Sequence, residues 1–321
     1  MKTYKELYAL IEQGIANISY TQQPQELYKP IEYIMQLGGK RLRPVLTLMA
    51  NEMFGGKSTK AIKAALAIEM FHNFTLVHDD IMDNADIRRG QPTVHIKWNQ
   101  TIAILSGDLM MIKATDLLCE TETNDLRTLI SVFNKTAAEV CEGQQWDMNF
   151  ETQNNVTEQE YLKMITLKTA VLLGCALKVG ALIGGAKTND ANHLYEFGKN
   201  IGIAFQLQDD ILDSFGEGDK VGKKIGGDIA ANKKTILLIE ALNSATGDDK
   251  DELYYWLGAK SEEKIEAVLK LYAKYKVRDK AEQLKEQYLQ LAFEHLKQIS
   301  IPNENKLLLK QTAIDLMERM S

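Results

Sequence analysis

Two stretches of the chain, LVHDDIMD at 76–83 and FQLQDDILD at 205–213, set a pair of aspartates three residues ahead of another aspartate among apolar neighbours. On a helix, positions 72, 76, 79 and 83 fall on one stripe with Asp80 alongside, so His72 and the carboxylates of Asp79 and Asp83 project to one side. Gln206, Asp209, Asp210 and Asp213 share a helical face in the same way. Two carboxylates about 4 Å apart in an effective dielectric near 20 repel by roughly 4 kcal/mol, so each cluster calls for something cationic between its members. One such cluster alone reads as a solvated charged face. Two of them, flanked by LVH and FQLQ, point to half-buried helices, where carboxylates need ions or partners. Hard oxygen donors without cysteine or clustered histidine favour Mg²⁺ or Mn²⁺ over zinc, and no EF-hand loop with its glycine and terminal glutamate is present. Mg²⁺ keeps coordination positions open for water and phosphate oxygens, so the pair of clusters points to a diphosphate bridged by several such ions.

A diphosphate also needs cations for the oxygens that metals leave free. The sequence offers them in four places. Lys40 and Arg43 stand three apart in GGKRLRP, after two glycines that permit close backbone approach. Arg88 and Arg89 follow the first acidic cluster. Lys168 precedes Thr169 in LKTA, and Lys223, Lys224 and Lys233 lie in or at the end of a glycine-rich segment at 214–234. No Ser/His/Asp or Cys/His triad is apparent, and His78, His95, His193 and His295 read as satisfied structural residues instead of ligands.

The elements that must position these groups are helical. The only prolines are Pro24, Pro30, Pro44, Pro92 and Pro302. Apolar residues recur at three and four over 100–120 (Ile104, Leu105, Leu109, Ile112), 127–141 (Leu129, Val132, Phe133, Val140) and 262–296 (Ile265, Val268, Leu269, Tyr272), as the buried faces of helices do. The N-terminal MKTYKELYALIEQGI reads as an amphipathic first helix, not a signal-peptide core. The apolar run from Thr169 to Ala186 is broken by Lys178 and holds four glycines, so it reads as a buried core helix and not a membrane span. A break at 123–128 calls for Asn124 or Asp125 as a helix N-cap. With no linker and no repeat, residues 1–321 read as one all-α domain, and the glycine-rich segment as a functional lid. A net charge of −6 and a pI near 5.6 argue against a general nucleic-acid binder. Cys119, Cys141 and Cys175 are odd in number and lack metal-ligand spacing, which predicts reduced, buried thiols in a cytoplasmic protein.

These motifs, in this order and spacing, resemble the trans-isoprenyl diphosphate synthases of the polyprenyl synthetase family. The resemblance runs from GGKRLRP through HNFTLVHDDIMDNADIRRGQPTVH, EGQQWD at 142–147, KTA, FQLQDDILD and GKKIGGDIAANKKT. It implies a bundle of long helices around a central cavity, a homodimer, and acidic clusters facing each other across the cavity mouth. It also implies Mg²⁺, three ions per site with Mn²⁺ as a substitute: Asp79, Asp80 and Asp83 would hold two ions, and Asp209 with Asp210 and Asp213 a third. Arg88, Lys168, Thr169, Gln206, Lys233 and one of Lys223 or Lys224 would bind an allylic diphosphate; Lys40, Arg43, His72 and Arg89 would bind isopentenyl diphosphate. The implied reaction ionises the allylic partner in an apolar cavity and joins the two to give a short all-trans prenyl diphosphate.

In that family the side chains four and five positions before the first acidic cluster form the floor of the elongation tunnel. Here these are Thr75 and Phe74, with Phe71 one turn deeper. A bulky Phe74 implies a fifteen- or twenty-carbon product, and the absence of two extra residues in the first cluster favours geranylgeranyl diphosphate. A longer-chain polyprenyl synthase is the alternative. A terpene cyclase would not need Lys40, Arg43 and Arg89, and a non-catalytic metal-binding subunit would carry one degraded cluster.

Overall fold

The computed structural model describes residues 1–216, 226–261 and 263–318. The helices are α1 Tyr4–Ala16, α2 Gln25–Gln36, α3 Leu42–Met53, α4 Ser58–Met82, α5 Val94–Lys97, α6 Gln100–Cys119, α7 Leu126–Thr152, α8 Glu158–Ile165, α9 Val171–Ile183, α10 Thr188–Phe215, α11 Gly227–Ala230, α12 Ile236–Ser244, α13 Asp248–Gly258, α14 Glu263–Lys274, α15 Val277–Gln298 and α16 Asn303–Glu318. A π-turn, Thr166–Ala170, joins α8 to α9. The only strands among the described residues are β1 Ile87–Arg88 and β2 Gln91–Pro92, antiparallel with Ile87 opposite Pro92. The all-α reading therefore holds.

Contacts divide the chain into two compact units, one of Met1–Asn134, Cys175–Leu194 and Ile299–Leu309, the other of Lys135–Gly174, Tyr195–Gln298 and Lys310–Ser321. In the first, α1 starts on a capping box between Thr3 and Glu6 and buries Leu7, Ile11 and Ile15, as its amphipathic spacing predicts. Helix α4 is enclosed through its middle, with Ala61, Ala64, Ala65, Leu66, Ala67, Ile68, Met70 and Phe71 all buried. A helix apolar all round in this way is a core helix.

Helix α6 departs from expectation. Its buried face against α4 is made of Ala103, Ser106, Gly107, Met110, Ala114 and Leu118, whereas Ile104, Leu105 and Ile112 are 41%, 54% and 58% exposed. Small residues let two helix backbones approach closely, so Ala103, Ser106, Gly107 and Ala114 take most of the inner face, beside Met110 and Leu118, and Ile104, Leu105 and Ile112 lie outside. Asp125 caps α7 by accepting from the Thr128 N–H at 3.1 Å. The apolar run ending in α9 is buried as expected. The stretch Glu158–Ile183 has the length and composition to cross a membrane, yet two thirds of its most apolar window is buried in the protein, as in a core helix.

The second unit gathers Phe150, Tyr161, Met164, Ile165, Leu207, Ile211, Ile236, Leu237 and Tyr272 into one core. None of the three cysteines is in a disulfide, but only Cys175 is buried. Cys119 and Cys141 are exposed because they fall on the outward sides of α6 and α7, so the expectation of buried thiols is corrected for both.

Candidate active site

In the first unit α4 carries Asp79 and Asp80 to the point where burial gives out. Asp83 is exposed at the helix C-cap, where its N–H donates to the Asp79 carbonyl at 2.8 Å. Asp80 is 1% exposed and is gripped by the Arg88 guanidinium, whose Nε lies 2.9 and 2.8 Å from its two oxygens and whose Nη2 lies 2.6 Å from Oδ1. Such a forked contact is among the strongest a carboxylate makes. The hairpin supplies it: Arg89 at φ 52° and Gly90 at φ 74° form its two-residue turn, and a turn with both central φ values positive matches the twist of an antiparallel pair. Tyr33 ties the hairpin down by donating to the Pro92 carbonyl at 2.7 Å.

Arg89 reaches the other way and donates to the Gly38 carbonyl. Its guanidinium carbon lies 3.0 Å from where a Cβ on Gly39 would stand, so the second glycine of GGKRLRP is what lets the arginine close over the loop. Arg41, in that same motif, has no place in the sequence reading. It is buried in the left-handed conformation at the head of α3 and binds Glu12 and Glu69 at 2.7 Å each and the Met35 carbonyl at 2.6 Å. The helix begins only at Leu42, so Lys40 and Arg43 do not share a helical turn as their spacing suggests. Lys40 is exposed, and its carbonyl accepts from the Tyr4 hydroxyl at 2.6 Å.

Arg43 lies against His72, Nη1 to Nε2 at 3.2 Å, and its buried Nε has no hydrogen-bond partner. Burial, then Arg43, Arg89, Arg88 and Arg41, hold the His72 imidazole well below its ordinary value of 6.5. Burial and the nearby Arg89 lower the Arg43 guanidinium to about 10, against the pull of Glu69. Burial and Arg41 lower Arg89 as well. Guanidinium groups that depress one another in this way around a neutral imidazole make a place where an anion is favoured. Arg43 from GGKRLRP and His72, Arg88 and Arg89 from the stretch around the first acidic cluster are thus coupled in one unit.

Phe71, 1% exposed, packs against Phe74 at 5.6 Å between ring centroids and against Phe133 at 5.4 Å. Thr75 is half-buried and donates to the His72 carbonyl at 2.8 Å. A cavity of about 420 Å³ in this unit is lined by Tyr20, Ile31, Ile62, Leu66, Met70 and Leu117 among others, and none of the sequence-predicted site residues lines it.

The second unit builds its cluster differently. Asp210, 2% exposed, accepts from the Tyr161 hydroxyl at 2.5 Å and from Gln206 Nε2 at 3.1 Å, and Thr169 Oγ1 donates to Gln206 Oε1 at 3.4 Å. Burial pushes the Asp210 carboxyl up to about 7, against the opposing effect of Lys233 and the two donors. Burial disfavours the Lys233 ammonium, but Asp228, Asp210, Asp147 and Asp209 outweigh it and raise that lysine above its ordinary value. Asp213 Oδ2 accepts from the Asp228 N–H at 2.9 Å.

Lys168 sits in the π-turn and pairs with Asp147 at 2.5 Å. A Cβ on Gly143, in the EGQQWD stretch, would come within 2.2 Å of the Lys168 nitrogen, so this glycine lets α7 meet the turn. One small pocket gathers Asp147, Tyr161, Lys168, Thr169, Gln206, Asp210 and Lys233. Lys223 and Lys224 lie outside the described residues. Sequence reasoning missed Tyr161, for which no spacing signal exists; Asp147 and Asp228 lay unremarked inside quoted motifs.

Among the described residues no group of three or more His, Cys, Asp or Glu side chains is arranged to hold a metal unaided. The donors present are hard carboxylate oxygens, and Mg²⁺ is ordinarily held by one or two of these together with water and substrate phosphates. The residues fit that ion on those terms.

The sequence matches the Polyprenyl synthetase family over residues 24–275. It is 46% identical to the geranylgeranyl diphosphate synthase of Methanosarcina mazei over 233 residues, 72% of each chain. It is 42% identical to the enzyme of the same name from Saccharolobus solfataricus over 278 residues, 85% of this chain and 83% of that one. A crystal structure of a geranylgeranyl pyrophosphate synthase superposes with a TM-score of 0.94 at 44% identity, covering 100% of both chains.

Proposed function

The chain belongs to the polyprenyl synthetase family and is a prenyltransferase with the all-α isoprenoid synthase fold, and from that premise we propose that it joins isopentenyl diphosphate to an allylic diphosphate to make geranylgeranyl diphosphate. The observation that carries this reading is the Arg43–His72–Arg89 group. A buried guanidinium nitrogen without a partner, beside a neutral imidazole and a second guanidinium, is suited to a second anionic substrate that a terpene cyclase does not use. The exposed Lys40 would join them.

In this reading Asp79, Asp80, Asp83, Asp209, Asp210 and Asp213 would hold Mg²⁺ with the allylic diphosphate. The bound ions would neutralise the diphosphate as it leaves. Arg88, Lys168, Thr169, Gln206 and Lys233, with Lys223 or Lys224, bind its remaining oxygens. The carbon–oxygen bond of the allylic partner breaks, the double bond of isopentenyl diphosphate supplies the electrons of the new carbon–carbon bond, and the proton then lost goes to the released diphosphate. Holding the two substrates in line contributes the proximity effect. Phe74 backed by Phe71 closes the path of the growing chain, with Thr75 beside it.

We further propose that the protein acts in the cytoplasm as a homodimer. Three cysteines outside any disulfide suit the first, and the exposed Ile104, Leu105 and Ile112 on α6 suit a self-association surface. Incubation with labelled isopentenyl diphosphate and, separately, dimethylallyl, geranyl and farnesyl diphosphate, with mass analysis of the products, tests the assignment. The expected outcome is a twenty-carbon diphosphate from every starter. Hydrocarbon formation without consumption of isopentenyl diphosphate would identify a cyclase, and no turnover would identify a non-catalytic subunit.

A further inference from the structure

His78 belongs to neither substrate set above, yet it touches both sides of a helix contact. It lies on α4 one turn after Phe74, and the two rings meet edge to face, centroids 4.8 Å apart at 64°. Its Nε2 lies 3.2 Å from the Ile104 carbonyl of α6. A main-chain carbonyl only accepts, so in this bond Nε2 carries the proton. Asp108 Oδ1 stands 3.9 Å from the same nitrogen. The ring has room there for one reason: a Cβ on Gly107 would come within 2.3 Å of Nε2 and 2.6 Å of Cδ2. Gly107 is buried on the inner face of α6, so a larger residue has no outward direction in which to move.

We propose that His78 is the positioning residue of the chain-length stop: anchored to the Ile104 carbonyl over Gly107, it fixes the ring of Phe74. This rests on the prenyl-transfer reading and deepens it. An aromatic ring closes a path only if it is held in one rotamer. Phe71 braces Phe74 from the previous turn, and Phe71 is braced in turn by Phe133. His78 is the aromatic brace from the following turn and links the stop to α6. Product length is then set by Phe74, His78 and Gly107 together.

The test compares product lengths from wild type, Phe74→Ala, His78→Ala, Gly107→Ala and Phe74→Ala/His78→Ala, supplied with isopentenyl and dimethylallyl diphosphates. His78→Ala and Gly107→Ala each shift the product distribution by at least one isoprene unit with KM for isopentenyl diphosphate unchanged, a combination that general loss of stability does not produce. The double variant matches Phe74→Ala, because His78 acts through Phe74. Should His78→Ala fail to fold, His78→Phe keeps an edge-on ring without the carbonyl bond and gives a mixed distribution. Wild-type product lengths in both His78 and Gly107 variants would overturn the proposal, as would a double variant that lengthens beyond Phe74→Ala. Wild type making no prenyl diphosphate would overturn the functional reading itself, which separates that failure from this one.

Discussion

The same five-residue pattern appears twice and is held in two opposite ways. Asp80 of the first cluster is locked in three hydrogen bonds by the Arg88 guanidinium, and Arg89 also acts on it. Asp210 of the second faces a phenol and an amide, and its carboxyl is pushed up to about 7 by burial. The first cluster brings fixed cations with it, whereas the second is short of positive charge and draws on Lys233 for it. A repeated acidic motif therefore does not imply a repeated electrostatic environment. The cations nearby decide how much charge each site must take from its ligands.

The largest effect expected is on catalysis. Asp79→Asn is expected to cut turnover by about 10²–10³-fold or more, the scale for removing one charge-stabilising group from an active site. Asp213→Asn is expected to cost less, because one Asp213 oxygen already serves the Asp228 N–H. Steady-state rates at saturating Mg²⁺ compare the two, and equal losses would break the distinction.

Arg88→Ala comes next and is read by urea unfolding. It leaves Asp80 buried without its fork and should cost about 3 kcal/mol of stability. Arg88→Lys should recover little of it, since an ammonium cannot bind both oxygens in the plane. Tyr161→Phe removes one of two neutral donors from Asp210 and should cost about 1–2 kcal/mol. A larger loss than that of Arg88→Ala would reverse the comparison.

The smallest effect is on pH dependence. His72 is held well below 6.5 in the folded protein. As the pH falls below that value, the unfolded chain therefore binds a proton that the native imidazole refuses, and stability drops by at most about 1.4 kcal/mol per pH unit from this group. Unfolding midpoints of His72→Gln should decline less steeply than those of wild type between pH 7 and 5. Parallel curves would mean the imidazole is not held neutral.

Much of this was legible in the sequence. The two clusters, the glycine pair before Lys40 and the arginines after the first cluster could be named because local spacing determines what a helix or turn presents. Partners far along the chain could not be named in that way: Tyr161 lies 49 residues from Asp210, Asp147 lies 21 from Lys168, and Arg89 reaches 51 residues back to Gly38. Arg41 in GGKRLRP carries no spacing signal of its own, and only tertiary packing shows it to be structural. Periodicity also misjudged α6, because a helix with apolar residues on several sides does not declare which one packs. A face of alanine, serine and glycine with Met110 and Leu118 took the core, and Ile104, Leu105 and Ile112 went outside.

The direct test of the proposed joint action of the two clusters on one allylic diphosphate is a double-mutant cycle on turnover, with Asp79→Asn, Asp209→Asn and the pair compared at saturating Mg²⁺. Residues that work as one unit are strongly non-additive, so the pair should lose no more activity than the worse single variant. Losses that multiply, or a single variant that keeps wild-type turnover, would contradict joint action.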